Sequence, residues 1–297
     1  MALITIAATT SIGSLALLGL GHYSQRETEI SSDGDRYLTM GGGGAVPYPF
    51  MFRWLIPALC RTSIPRWRIC TDTHLAFLPV LTAIYIAHWQ ARPAAAVVGG
   101  LLICGFPGIW RINIRRPVLV DPAALCWALG AAVLSLHGMW PAALAAALVA
   151  AAMKETTPIF AACFCLNPLL LIALAGPLVR WLSSRGGDDT HNSRALADPI
   201  GSARLAHAER LFDPAVMLAP WGVGLLAVLV DDGTIALIVV LALLLGYGQL
   251  FAAVNTARLY QWAGPAVALA AASVLPPGWE PAALLVHLFN PFAGGGR

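Results

Sequence analysis

From Ala2 to Gly21 the chain runs for twenty residues without a charged side chain, and comparable apolar stretches recur along the whole sequence. They fall at about 73–90, 93–110, 119–137, 140–154, 157–180, 214–231, 233–254 and 259–275. A helix needs roughly 20 mostly apolar residues to cross about 30 Å of hydrocarbon. The stretch at 140–154 is short and one at 278–290 is shorter still, so the pattern predicts about 8–9 transmembrane helices. None alternates like a barrel strand, and backbone groups in lipid must be satisfied within their own segment, so the spans are helices. The expected fold is an all-α polytopic integral membrane protein, with residues 1–297 as a single membrane domain. Composition excludes the alternatives. Hydrophobic residues make up 58% and charged residues 11%, whereas a soluble domain carries about 25% charge. A chain so apolar is not disordered either. The net charge of +3 is small and spread along the chain, which argues against a nucleic-acid partner.

The first stretch lacks a basic n-region and an Ala-x-Ala site before His22, so it is expected to stay as the first span. Two polar regions interrupt the apolar pattern, a first loop over 22–72 and a second over 183–213. The second is flexible in composition and reads as a solvated loop. The first carries more chemistry. Asp33-Gly34-Asp35-Arg36-Tyr37 sets two carboxylates either side of a glycine, and they can converge on one ligand if the backbone turns there. A general base, or a divalent cation held by Asp33 and Asp35, needs that convergence. Gly41 to Gly44 free the backbone for a close approach. Pro47 and Pro49 then stiffen the chain before Phe50, Phe52, Trp54 and Leu55, an aromatic amphipathic segment suited to the membrane interface.

Other ionisable groups sit near expected helix ends. Asp121 opens a span, where an acid meets the positive end of the helix dipole. Lys154, the single lysine against seventeen arginines, adjoins Glu155 at a membrane boundary, and intramembrane charge points to function. Arg258 separates two apolar stretches, positioned either to snorkel or to clamp a phosphate. Asp231-Asp232-Gly233 reads as a tight turn. The seven histidines show no ligand spacing, and no histidine metal site is expected. Cys60 and Cys70 flank a loop and can pair in an oxidising compartment. The other four cysteines lie in apolar stretches as small hydrophobes.

In order along the chain come one span, the acidic turn with Tyr37, Pro49-Phe50, Arg53-Trp54-Leu55-Ile56-Pro57, Asp121, Lys154-Glu155-Thr156 and Arg258-Leu259-Tyr260. This ordered set resembles the bacterial polytopic proteins related to the GT-C glycosyltransferases, over roughly residues 5–275. The resemblance implies a bacterial inner-membrane enzyme whose donor is a sugar on a polyprenyl phosphate, with interfacial helices in the first loop. It implies Asp33 or Asp35 as the base or a metal ligand, and Asp121 as a second acidic site residue. Tyr37, Arg53 and Glu155 become substrate-binding candidates, and Lys154 and Arg258 bind the departing phosphate. Membrane lipids and the polyprenyl-linked sugar are the implied partners.

Two other readings fit the same residues. A transporter or flippase would line a polar path with Asp121, Glu155 and Arg258. A non-catalytic scaffold subunit would use its charges for topology and partner contacts alone.

Overall fold

The structure, a computed structural model, describes residues 2–25, 28–46, 50–183, 198, 200–201, 213–251 and 256–290. Most of the second polar loop, and Pro47 to Pro49 in the first, therefore lie outside the described residues. Among the described residues every regular element is helical. In chain order these are α1 (Ala2–Ser24), α2 (Ser32–Gly41), α3 (Leu55–Cys60), α4 (Ile64–Trp89), α5 (Pro93–Leu102), α6 (Arg111–Arg115), α7 (Asp121–Leu136) and α8 (Trp140–Met153). They continue with α9 (Thr157–Cys165), α10 (Ala175–Ser183), α11 (Pro214–Met217), α12 (Gly233–Gly248), α13 (Thr256–Tyr260), α14 (Gly264–Val274) and α15 (Glu280–Leu288).

Three of the described helices are long and apolar enough to cross a membrane: Ala2–Ser24, Ile64–Trp89, and Gly233–Phe251, in which α12 runs on into a 3₁₀ turn. The other apolar stretches are helical but shorter than the expected spans, and several are interrupted where the sequence carries proline or glycine. The α7 helix has 16 residues and α8 has 14. At 1.5 Å per residue these reach about 24 and 21 Å, less than the hydrocarbon thickness. The stretch at 157–180 divides into α9, a 3₁₀ segment (Pro168–Leu174) and α10, because Leu166 turns left-handed and Pro168 restarts the chain. The stretch at 214–231 is bent at Gly222, where φ is 51°. Continuous hydropathy concealed these breaks.

Packing divides the chain into two compact units. One comprises Met1–Leu17, Pro79–Ile112 and His191–Arg297; the other comprises Leu18–Leu78 and Asn113–Thr190. In the first, α14 packs against the 3₁₀ segment Ala219–Leu229, α5 and α12. Phe106 and Trp221 meet edge to face in its core, with centroids 5.2 Å apart. In the second, α7 lies along α8 and α9 through alanine faces that include Ala128, Ala131, Ala143, Ala147 and Ala150, all buried. Small residues let helix backbones approach closely where lipid supplies no hydrophobic drive. The Pro168–Leu174 segment closes against α8 and α9, and α2 packs on α3.

A buried ion-pair cluster as the candidate functional site

The site is built within the second unit, from the first-loop helices and the broken ends of α7, α8 and α9. Ser31 starts α2 by accepting a hydrogen bond from the Gly34 amide at 3.1 Å. The Asp-Gly-Asp motif thus lies in the first turn of a helix and does not form a reverse turn. Residues two apart on a helix diverge by about 200°: Asp33 is half-buried and Asp35 is exposed. This corrects the expectation that the two carboxylates converge on a ligand or cation. Among the described residues no group of three or more His, Cys, Asp or Glu side chains could hold a metal ion.

The glycine has a packing role. A Cβ at Gly34 would lie 3.1 Å from Ile30 Cγ2, 3.2 Å from the Val118 carbonyl oxygen and 3.3 Å from Val118 Cβ. Its absence lets α2 press against the chain entering α7. At the far end of α2, a Cβ at Gly41 would lie 2.6 Å from the Arg61 carbonyl, which accounts for the first glycine of the Gly41–Gly44 run.

One turn beyond Asp33, Tyr37 is fully buried, with its ring stacked on Trp67 at 6.0 Å and edge-on to Phe50 at 5.5 Å. Arg53 Nη1 donates to the Tyr37 hydroxyl at 3.1 Å. Burial, with the Asp121 and Asp33 charges adding to it against the opposing Arg53, pushes the Tyr37 phenol up to about 12. The rest of the Arg53 guanidinium forms a fork on Glu155: Nε donates to Oε2 at 2.9 Å and Nη2 to Oε1 at 2.7 Å. Bidentate Arg–carboxylate pairs are both stronger and more directional than single contacts. Burial pushes the Glu155 carboxyl upward, yet the Arg53 charge and hydrogen bonds outweigh it and hold the group below its ordinary value.

Lys154 occupies the break between α8 and α9. Its backbone is extended, its amide closes α8 on the Ala150 carbonyl at 2.9 Å, and its carbonyl accepts from the Thr157 hydroxyl at 2.7 Å. That geometry aims its side chain at the first residue of α7. Lys154 Nζ donates to Asp121 Oδ1 at 2.8 Å, with the two side chains only 3% and 7% exposed. Asp121 also sits at the positive end of the α7 dipole, which favours its charged form.

The structure therefore forms two polar contacts from four separate segments, the chain Tyr37–Arg53–Glu155 and the pair Lys154–Asp121, which adjoin at residues 154 and 155, and the Asp33 and Asp121 charges both act on Tyr37. Asp35 stays on the outer side of α2. Arg258 lies on α13 in the other unit, where it is buried beside Tyr260. Sequence reasoning missed Trp67, the floor under Tyr37, and Arg36, whose guanidinium lies 4.6 Å over the Phe50 ring. The expected interfacial aromatics also divide: Phe50 and Phe52 are buried, and Trp54 is exposed with Arg180 5.4 Å above its ring. Chemically, the cluster offers two buried cations whose partners are carboxylates, with the half-buried Asp33 one helical turn from Tyr37. Comparison with protein-family models, with curated proteins and with solved structures finds no match to this chain.

Proposed function

We propose that this chain is a polytopic membrane protein of the bacterial inner membrane with GT-C-like activity. It transfers a sugar from a polyprenyl-phosphate donor to an acceptor hydroxyl at the bilayer surface. The observation that supports this reading best is the convergence of first-loop Asp33, Tyr37 and Arg53 on Asp121 and Lys154-Glu155. In the proposed step a carboxylate, Asp33, takes the proton of the acceptor hydroxyl. The acceptor oxygen bonds to the anomeric carbon as the bond from that carbon to the phosphate oxygen breaks. Polyprenyl phosphate leaves with the electron pair, and the Arg53 and Lys154 charges stabilise it as it forms. Asp121 holds the Lys154 ammonium in place.

The test is transfer from a radiolabelled polyprenyl-phosphate sugar in membranes carrying single variants. Asp33→Asn should lower the rate by about 10²-fold or more, while Asp35→Asn should leave it near wild type. Equal activity in Asp33→Asn and wild type would remove the base assignment. A transporter reading draws on a different observation, the near-complete sealing of the Lys154–Asp121 pair. It requires substrate flux to depend on Asp121 and Glu155 and to be indifferent to Asp33.

A further inference from the structure

The ends of two candidate spans approach each other in the second unit. His22, near the end of α1, lies 3.1 Å from Asp72, on the first turns of α4. Around this level the fold collects five arginines. Arg61 and Arg66 are exposed at the α3–α4 turn and the start of α4. On the other side of α4, Arg68 donates to the Ile114 carbonyl and, at 2.6 Å, to Thr28 Oγ1. Arg115 and Arg116 follow directly on Ile114, and both bind Glu29, Arg116 Nε at 3.1 Å. Burial pushes the Glu29 carboxyl up, but the Arg116 and Arg115 hydrogen bonds and charges bring it below its usual value, so it remains ionised. Among the described residues, Glu29 is the one carboxylate paired with these guanidiniums, since Asp72 is turned to His22.

Exposed apolar side chains also occur along these segments. Tyr23, Leu59, Ile64 and Ile69 are all exposed. Ile69 lies one turn beyond Arg66 on a helix long and apolar enough to cross a membrane. A rise of 1.5 Å per residue sets Arg66 about 4.5 Å further out than Ile69 along that helix. Exposed Ile69 followed outward along α4 by the exposed Arg66 guanidinium, which has no carboxylate partner among the described residues, matches the boundary between acyl chains and headgroup phosphates.

We propose that this arginine ring binds the phosphodiester headgroups of anionic phospholipids and holds the α1–α4 end of the protein at the membrane surface. The proposal is independent of glycosyl transfer, because it uses none of the residues assigned to that chemistry. Each arginine at an anionic surface contributes on the order of fivefold to binding. Native mass spectrometry of the full-length protein in detergent, with equimolar phosphatidylglycerol and phosphatidylcholine added, tests it. Wild type should retain phosphatidylglycerol at least fivefold over phosphatidylcholine. The Arg61→Gln/Arg66→Gln/Arg115→Gln/Arg116→Gln variant should retain the two lipids equally. Arg61→Gln/Arg66→Gln, which alters two exposed side chains alone, should give an intermediate preference and keeps the test valid if the fourfold variant does not fold. Equal retention by wild type, or an unchanged preference in Arg61→Gln/Arg66→Gln and in the fourfold variant, would overturn the proposal.

Discussion

Replacing Asp121 by Asn should destabilise the protein more than removing the whole ion pair. The Lys154 ammonium and the Asp121 carboxylate are 2.8 Å apart and almost completely out of solvent. In Asp121→Asn the ammonium keeps its charge and loses its counter-charge, and breaking a buried pair in this way costs about 3–5 kcal/mol. Lys154→Met leaves the carboxylate in the mirror situation, at a similar cost. The double variant Asp121→Asn/Lys154→Met buries no charge, and replacing both partners by neutral groups is often close to neutral. At about 2–4 °C per kcal/mol for a chain near this size, each single variant should melt on the order of 10 °C below wild type. The double should recover most of that loss. Thermal unfolding of the four proteins in one detergent, followed by loss of the monodisperse peak, measures the cycle. If the double variant melts no higher than the worse single, or Asp121→Asn melts with wild type, the pair carries no such energy and the sealed geometry is refuted.

Four further outcomes follow from the same structure. Gly34→Ala should destabilise although alanine favours helix, because the Val118 carbonyl 3.2 Å from the new methyl is backbone and cannot swing away. Gly130→Ala, inside α7 with open space around its Cβ position, should instead stabilise by about 0.5–1 kcal/mol, and paired melts check the opposite signs. Glu155 has a depressed folded pKa, so its pairing with Arg53 contributes stability above the ordinary carboxylate pKa and loses it as pH falls through the depressed value. Glu155→Gln should flatten that acid limb in melts recorded between pH 7 and 3. Arg61 adopts φ 52° and ψ −137°, unfavourable for a side-chain-bearing residue. Arg61→Gly should therefore raise stability by about 1 kcal/mol, and chemical denaturation would show the reverse if Trp67, which donates to the Arg61 carbonyl at 2.9 Å, does not hold that turn.

The helical class was legible because apolar residues vastly outnumber charges, and no strand appears among the described residues. The helix lengths were not. Lys154, Leu166 and Gly222 leave the helical region and interrupt the chain's helices, while hydropathy averaged over twenty residues passes across them. In the site, Tyr37 and Arg53 came only through the ordered set of motifs, whereas Asp121 and Lys154-Glu155 stood out as charges at the ends of apolar stretches. Their pairing did not: Arg53 and Glu155 are 102 residues apart, and no local pattern announces such a contact. The Asp33/Asp35 expectation failed for a local reason. Ser31 caps α2 through the Gly34 amide, and a helix sends the two carboxylates to different sides.

The breaks and the charges have one physical origin. Each interrupted helix leaves amides and carbonyls without partners, and in an apolar environment these must be satisfied. The α8–α9 break is closed by Lys154 and Thr157, whose amide and hydroxyl complete the exposed backbone ends. The same break swings the lysine out of α8 and onto the start of α7, where Asp121 meets it. Lys154 therefore cannot be replaced by an apolar residue on its own without stranding the buried Asp121 carboxylate. Position 154 is consequently where the fold and the proposed chemistry constrain the sequence together. Lys154→Arg keeps the charge but brings a planar head too large for a site with 3% exposure. It should therefore impair folding about as much as Lys154→Met, and would do so equally in the presence and absence of any lipid-linked substrate.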